Sequence, residues 1–309
     1  MSQSTAALYA ELRPLLFSIA YRMLGSASDA EDVVQEAYLR LHQSEADGVV
    51  IRSDKAFLTT VTTRLAIDHL RSARVQRETY YGPWLPEPLL TSPEPDGAAI
   101  VEQADSLTFS FLVLLERLSP LERAVFLLRE VFDYDYDEIA TIVEKSEANC
   151  RQIFSRARRH VDAGKPRFEV SGERQAQLAG RFLAAVQDGE VQQLVSLLAE
   201  DVVFYGDGGG KGRGLPKPVF GAENVARLLV GFFDAYRSID ARLQPAQING
   251  QPGVLAFDNE GRLINVLAFD VAGDVLRNVR SVINPDKLGH LGFAMSPVAL
   301  TESSPTSRS

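Results

Sequence analysis

The sequence is poor in cysteine, tryptophan and histidine, and these shortages exclude several classes of site. The single cysteine, Cys150, excludes an internal disulfide framework and a cysteine-rich zinc site. The four histidines are scattered and show no metal-ligand spacing, so we expect neither a metal nor another cofactor. No apolar run reaches the roughly 18 residues that span a membrane, and the N-terminus lacks the basic start of a signal peptide. We therefore expect a cytoplasmic protein with no membrane partner.

The chain also lacks an overall positive charge, which would argue against a nucleic-acid partner. The net charge is −9, but residues 145–167 contain seven lysines and arginines against two acidic residues. A phosphate backbone senses charge within a Debye length of about 10 Å, so the local excess matters more than the total. This basic segment is a candidate DNA-binding surface.

The length of 309 residues and the hydrophobic content of 45% predict two or three domains, each with its own core. Residues 6–76 show helical periodicity throughout. Ser28 and Glu31 have the spacing of a capping box at the start of a second helix. That helix has an apolar stripe and a separate acidic face, which consists of Asp29, Asp32, Gln35 and Glu36.

Residues 55–77 form a basic amphipathic helix in the same region. The flank away from its apolar residues is rich in arginine and threonine. Arginine pairs with phosphates and stacks on base faces, which suits the binding of unstacked single-stranded DNA. The candidate contacts are Thr60, Thr63, Arg64, Arg71 and Arg74.

A second helical region ends in a helix, a short turn and a basic helix, which is the pattern of a helix-turn-helix. Ser119, Pro120 and Glu122 mark the start of its first well-defined helix. Asparagine, glutamine and arginine can pair with base edges, whereas Arg158 and Arg159 are better placed to hold phosphates. The polar face of the last helix presents Asn149, Arg151, Gln152, Ser155, Arg156, Arg158 and Arg159.

The segment between the two helical regions is rich in proline and contains the only tryptophan, Trp84. Proline fixes φ and removes amide donors, so the segment should be an extended connector. We expect Trp84 to dock on another surface. From Gly172 onward, helices precede strand-like runs, which predicts an α+β domain with an antiparallel sheet. Residues 296–309 should form a disordered tail.

Three strings resemble the extracytoplasmic-function sigma factors, over roughly residues 6–162. DAEDVVQEAYLRLH is similar to the core-binding helix of that family, AFLTTVTTRLAIDHLRSAR to its reader of the −10 element, and LSPLERAVFLLREVFDYDYDEIA to the start of its −35 reader. The resemblance implies core RNA polymerase and promoter DNA as partners. It implies region 2 over residues 1–78, a linker over 79–104 and region 4 over 105–166, with Asp29, Asp32, Gln35 and Glu36 on the polymerase.

The chain departs from this family at two places. The turn before the last helix of region 4 is Glu144-Lys145-Ser146-Glu147, where the family commonly has glycine and proline. Arg64 stands where many relatives have asparagine. The docking angle and the promoter preference of relatives therefore do not transfer to this chain.

Three shorter strings resemble the subgroup whose members carry a fused SnoaL-like domain. The resemblance implies a cone-shaped α+β domain over residues 170–295, with a curved antiparallel sheet and a pocket. This domain would regulate the chain without a separate anti-sigma factor. Whether its pocket binds an unidentified small ligand is left open. The strings are WLPEP (Trp84, Leu85, Pro86, Glu87, Pro88), DGGGK (Asp207, Gly208, Gly209, Gly210, Lys211) and NPDKL (Asn284, Pro285, Asp286, Lys287, Leu288).

The C-terminal half also invites an enzyme hypothesis, which we consider less favourable. Asp207, Asp270 and His290 are its candidates for acid-base catalysis, and no spacing forces any two of them together. We predict a sigma factor and no enzymatic activity. The alternatives are a one-component regulator that senses a ligand and a SnoaL-like enzyme tethered to DNA-binding helices.

Overall fold

The structure of the protein is a computed structural model that describes residues 3–77, 79–91, 107–162, 172–211 and 214–292. The chain forms two compact units, one of Met1–Thr79 with Phe111–Lys165 and one of Tyr80–Ser110 with Pro166–Ser309. The first unit contains both predicted DNA-directed segments. The second contains the predicted linker together with the α+β half. The domain limits expected from the sequence stay a prediction, and the expected tail lies outside the described residues.

The first unit is helical in its described residues. Its helices are α1 (Gln3–Leu24), α2 (Ala27–Ala46), α3 (Asp54–Arg77), α4 (Phe109–Leu115), α5 (Pro120–Glu130), α6 (Tyr136–Val143) and α7 (Glu147–Asp162). Helices α1, α2 and α3 pack on one another, and α5 packs with α6 and α7. In addition, α1 contacts α5, and α3 contacts both α5 and α6. These contacts join the two helical segments into one unit.

Helix starts follow local side-chain chemistry, with one correction to the expected positions. The capping box of α5 is confirmed, since Ser119 Oγ accepts from the Glu122 amide and Glu122 accepts from the Ser119 amide at 3.1 Å. Helix α2 is instead capped by Ser26, which accepts from the Asp29 amide at 3.1 Å. Because Gly25 ends α1 at a positive φ of 68°, α2 begins before Ser28. Helix α6 is capped at Asp135, whose amide donates to the Glu138 carboxylate at 2.9 Å.

The described part of the α+β half contains three α-helices and one sheet. The helices are α8 (Gly172–Asp188), α9 (Val191–Leu197) and α10 (Ala222–Ser238). The strands are β1 (Leu198–Asp207), β2 (Val219–Phe220), β3 (Arg242–Ile248), β4 (Gln251–Phe257), β5 (Leu263–Ala272) and β6 (Val275–Val282). Two 3₁₀ turns follow, Pro285–Lys287 and Gly289–Leu291.

The sheet has the order β2-β1-β6-β5-β4-β3, and it is mixed. Strands β1 and β6 are parallel, whereas the other neighbours are antiparallel, so the expectation of an antiparallel sheet was wrong at this pair. Parallel neighbours need a long connection, and here α10 and four strands separate β1 from β6 along the chain. The predicted α+β class is confirmed. Phe182 of α8 packs edge-on against Phe269 of β5 in the core.

The predicted linker is built into the second unit. The Thr91 amide donates to Gln247 O at 3.0 Å, and the Asn249 amide donates to Leu89 O at 2.8 Å. Leu90 and Ile248 thereby form an antiparallel bridge at the end of β3. Asn249 also accepts from the Leu89 amide through its side chain at 2.9 Å. These bonds hold the described part of the linker on the sheet edge.

Candidate nucleic-acid interface and linker site

Helix α7 has the two faces expected of a recognition helix. Cys150, Ile153, Ala157 and Val161 are buried on one side. Phe154 is only partly buried and stacks on the Phe126 ring of α5, with centroids 6.0 Å apart. The opposite side is exposed along its length and presents Asn149, Arg151, Gln152, Ser155, Arg156, Arg158 and Arg159.

The arginines of this face differ in how firmly they are held. The Arg151 guanidinium lies over the Tyr136 ring, 4.3 Å from the centroid, and 3.4 Å from a Glu147 oxygen. Arg158 pairs with Asp162 at 3.6 Å, one turn along the same exposed surface. A guanidinium stacked on an aromatic ring loses less freedom on binding a base. Arg151 is therefore the best-positioned arginine for a base contact.

Helix α3 departs from the predicted pattern of DNA-facing residues. Thr63 is completely buried, and its hydroxyl has no hydrogen-bond partner among the described residues, so its predicted DNA contact does not fit this arrangement. Thr60 is partly buried and donates to Ala56 O at 2.8 Å. Arg71 is exposed and pairs with Asp68 at 2.9 Å. The Arg74 side chain lies outside the described residues.

Arg64 of α3 contacts the helix-turn-helix of the same unit. Its guanidinium donates to Ile142 O at 2.8 Å and to Thr141 O at 3.0 Å, and it pairs with the Glu144 carboxylate at 2.9 Å. These carbonyls lie at the C-terminus of α6, where helical carbonyls lack intrahelical donors and the dipole favours a cation. Glu144 ends the helix in the left-handed region, with a φ of 53°. Arg64 is thus held on the turn that precedes α7.

The acidic face of α2 lies on the surface, as the sequence predicted. Asp32 and Gln35 are exposed, and Glu36 pairs with Arg40 at 2.8 Å. Asp29 lies 3.3 Å from His69 of α3. Leu39, which is 64% exposed on the same stripe, was not identified from the sequence. Leu39 follows Glu36 by one helical turn and Asp32 by two turns, and this spacing could have placed it on the acidic face.

The three short strings of the predicted regulatory site meet around one carboxylate. Asp207, at the end of β1, is fully buried. Its oxygens accept from Tyr80 Oη at 2.5 Å, from the Leu85 amide at 2.7 Å and from Lys287 Nζ at 2.7 Å. Burial and the Asp207 carboxylate raise the pKa of Tyr80, so its phenol stays a proton donor. We call Tyr80, Trp84, Leu85, Asp207 and Lys287 the linker cluster.

Lys287 contacts both the backbone and the aromatic rings of the linker. Its ammonium donates to Leu85 O at 2.5 Å and lies 4.3 Å from the Trp84 ring and 4.9 Å from the Tyr80 ring. Trp84 is therefore docked, as expected, but it is only partly buried and stacks on a cation. Leu85 is the deeply buried residue, with 2% of its surface exposed. Pro86, Glu87 and Pro88 are buried beside it.

Two glycines of DGGGK, Gly208 and Gly209, lie so close to other residues that a side chain would not fit. A Cβ on Gly209, which has a φ of 56°, would lie 2.3 Å from the Asn284 amide nitrogen and 2.9 Å from Tyr80 Oη. A Cβ on Gly208 would lie 2.6 Å from the Cα of Gly214. Lys211 pairs with Asp286 at 2.5 Å. Tyr80 was not identified from the sequence, since it precedes WLPEP and no pattern links it to Asp207.

The remaining polar groups of the second unit do not form a catalytic arrangement around Asp270. Burial opposes ionisation of Asp270, but Arg280 and hydrogen bonds from Ser110, Arg280 and Asn278 outweigh it, so the pKa of Asp270 is lowered. Ser110 donates at 2.5 Å and Asn278 at 2.9 Å. A carboxylate with a lowered pKa and these donors is a poor general base at neutral pH.

One pocket in the second unit is smaller than a typical ligand pocket. A pocket of about 140 Å³ is lined by Phe233, Tyr236 and Leu243, among others. Ligand pockets typically measure about 300–1,000 Å³. Over the described ranges, no three His, Cys, Asp or Glu side chains are grouped to hold a metal ion. None of the described helices combines the length and apolar character needed to cross a bilayer.

The chain is similar to known proteins over both helical regions and over the α+β unit. Residues 8–75 match the family model of Sigma-70 region 2, and residues 108–161 match that of Sigma-70 region 4. The chain is 37% identical to the ECF RNA polymerase sigma factor SigJ of Mycobacterium tuberculosis, over 96% of each chain. It is 30% identical to the probable ECF RNA polymerase sigma factor SigI of that organism, over 90% of this chain and 93% of the other.

A solved structure shows the same fold over most of the chain. The crystal structure of the Mycobacterium tuberculosis extracytoplasmic function sigma factor SigJ matches with a TM-score of 0.72 and 34% identity. The match covers 92% of this chain and 98% of that structure. The predicted succession of helical sigma regions and an α+β unit is thereby confirmed.

Proposed function

Because the chain belongs to the ECF RNA polymerase sigma factors, which bind core RNA polymerase and direct it to promoters, we propose that its α+β unit controls this activity through the linker cluster. The docked linker is the observation that carries the proposal. In this role the unit takes the place of a separate anti-sigma factor.

We assign the DNA contacts from exposure and from the chemistry of the side chains. Arg151 and Gln152 read bases of the −35 element, and Arg156, Arg158 and Arg159 hold phosphates. Arg71 is the exposed candidate for the −10 element. The polymerase contacts are Asp29, Asp32, Gln35 and Glu36, to which we add Leu39. An apolar side chain within a charged surface is a typical anchor of a protein interface.

Regulation through the linker follows from where the linker lies in the chain. It connects α3 of region 2 to α4 at the start of region 4, and its Leu85 backbone is held at both its amide and its carbonyl. Full burial of a leucine side chain contributes about 2 kcal/mol. Release of the linker must also break the contact between Lys287 and Leu85. A docked linker therefore restrains any rearrangement of regions 2 and 4.

Such a rearrangement is required if Arg64 is to contact DNA. In the free chain its guanidinium occupies the end of α6 and the Glu144 carboxylate. Promoter contact by Arg64 then needs α3 to part from α6. We propose that linker release favours this separation on the polymerase.

The proposal is tested by run-off transcription with core polymerase and the full-length chain. Lys287→Met keeps an apolar stem beside Trp84 but removes the charge that holds Leu85 and Asp207, and it should raise transcription. Lys217→Met, at an exposed lysine of the same unit, is the matched control and should behave as the unmodified chain. Equal transcription from all three proteins would contradict control through the linker cluster.

The comparisons favour a sigma factor over the two alternative functions. The relatives are sigma factors over nearly their whole length, including the α+β unit. A one-component regulator or a tethered enzyme would not retain core polymerase in a pull-down. The chain should retain it.

A further inference from the structure

His290 makes a contact with the linker that lies outside the three short strings. It belongs to the 3₁₀ turn Gly289–Leu291, which directly follows NPDKL. Its Nε2 atom lies 2.7 Å from Pro88 O, and its Nδ1 atom lies 3.8 Å from a Glu87 carboxylate oxygen. The His290 side chain is 22% exposed and that of Glu87 is 9% exposed. The imidazole thus bridges two linker residues, and its side chain is partly covered although the residue as a whole is exposed.

The two partners determine which form of the ring fits best. A carbonyl oxygen only accepts, so Nε2 must carry the hydrogen that bonds Pro88 O. In the neutral ring, Nδ1 would then turn a lone pair toward the Glu87 carboxylate. In the imidazolium, both nitrogens carry hydrogens, and both linker contacts are favourable. The bridge therefore favours the charged ring.

The neighbouring charges leave Glu87 as the counter-charge that faces His290. Lys287, on the preceding 3₁₀ turn, directs its ammonium to Asp207 and to Leu85 O. Asp286 pairs with Lys211 of the DGGGK loop. On the linker side, Glu87 is the acidic residue next to Pro88, and it is buried. A proton on His290 adds an opposite charge beside this carboxylate.

We propose that His290 is a proton-dependent latch, whose imidazolium holds Glu87 and Pro88 and so couples linker docking to pH. The latch rests on the proposed control by the linker cluster, to which it adds a regulatory signal. Docking is stronger when the ring carries both protons and weaker once it has lost one. The latch couples the linker to the 3₁₀ turn Gly289–Leu291, which lies outside the NPDKL string.

Trp84 reports linker docking directly, because it is the only tryptophan of the chain. We would measure acrylamide quenching of Trp84 in the full-length chain from about pH 5 to pH 8, the range in which histidine titrates. Quenching should increase as the pH rises. The expected change in the docking equilibrium is about two- to fivefold, as for a partly exposed ion pair.

Variants of the two partners separate the latch from general effects of pH. In His290→Gln, the amide still donates to Pro88 O but does not titrate, so quenching should lose its pH dependence. Glu87→Gln should reduce that dependence. His42→Gln is the matched control, since His42 is an exposed histidine 3.3 Å from Glu45 on α2, and it should follow the unmodified chain.

The same pH profile in His290→Gln as in the unmodified chain would overturn the latch. Run-off transcription with these proteins distinguishes this failure from that of the proposed function. A Trp84 signal that depends on His290, with transcription unchanged, would support the latch and count against control by the linker. A flat Trp84 profile would reject the latch even if Lys287→Met alters transcription.

Discussion

At the scale of single residues, Asp207 determines the chemistry of the linker cluster. The isolated carboxylate would be costly to bury, but a lysine, a phenol and a backbone amide all donate to it. Two of these donors, Tyr80 and Leu85, come from the linker. The linker therefore takes part in satisfying a charge that the α+β unit buries, and its removal would leave Asp207 with fewer donors.

We expect Asp207→Asn to lower the free energy of unfolding of the full-length chain by about 3–5 kcal/mol, because it leaves the Lys287 charge without its buried counter-charge. The double variant Asp207→Asn with Lys287→Met should lose less than the two single variants together. Denaturant unfolding followed by Trp84 fluorescence measures the cycle. Additive effects would show that the two side chains are not coupled.

At the scale of elements, helix α7 depends on its two faces for separate tasks. The buried stripe fixes the helix on α5, and the exposed face is left free for DNA. The Arg151 guanidinium is held over the Tyr136 ring, whereas that of Arg159 donates to Ser155 O of its own helix at 3.3 Å. This difference in positioning predicts different roles for two arginines of one helix.

Arg151→Ala and Gln152→Ala should each cost about 1–3 kcal/mol of discrimination between −35 sequences. Arg159→Ala should weaken binding evenly across sequences and reduce the salt slope by about one. Binding to variant promoter DNA at several salt concentrations distinguishes the two outcomes. Identical sequence profiles for the three variants would reject the division of roles.

The contact between α3 and α6 gives a second prediction at the element scale. Glu144→Gln removes the carboxylate partner of Arg64 and should raise the affinity of the free chain for single-stranded −10 DNA. The expected gain is up to about fivefold, the worth of a partly exposed ion pair. Arg64→Ala should lower that affinity.

A charge-matched control is available on α2, where Glu45 is exposed and pairs with His42. Glu45→Gln removes one negative charge without touching Arg64 and should leave DNA affinity unchanged. Equal gains from Glu144→Gln and Glu45→Gln would indicate a general effect of net charge instead of release of Arg64.

At the scale of the whole molecule, the linker belongs by its contacts to the α+β unit, although in the chain it joins regions 2 and 4. Regions 2 and 4 keep their mutual contacts within the other unit. The effect of a linker substitution should therefore depend on the presence of the α+β unit. A passive tether would not show such dependence.

We expect Trp84→Ala to change run-off transcription in the full-length chain but to have no effect in a fragment of residues 1–169, which lacks Asp207 and Lys287. A chain trimmed after Leu288 keeps the linker cluster but loses His290, and it should be more active than the full-length chain. Circular dichroism of each protein checks that the helical unit is folded. The same response to Trp84→Ala with and without residues 170–309 would refute the whole-molecule coupling.

The sequence by itself determined the features that arise within a few residues of the chain. The Ser119 capping box and the two faces of α7 were predicted, because capping bonds and helical periodicity depend on near neighbours. Only the tertiary structure decided the burial of Thr63 and the meeting of Tyr80 with Asp207. These contacts join residues that are far apart in sequence, so only the folded chain brings them together. The parallel pairing of β1 with β6 is decided in the same way.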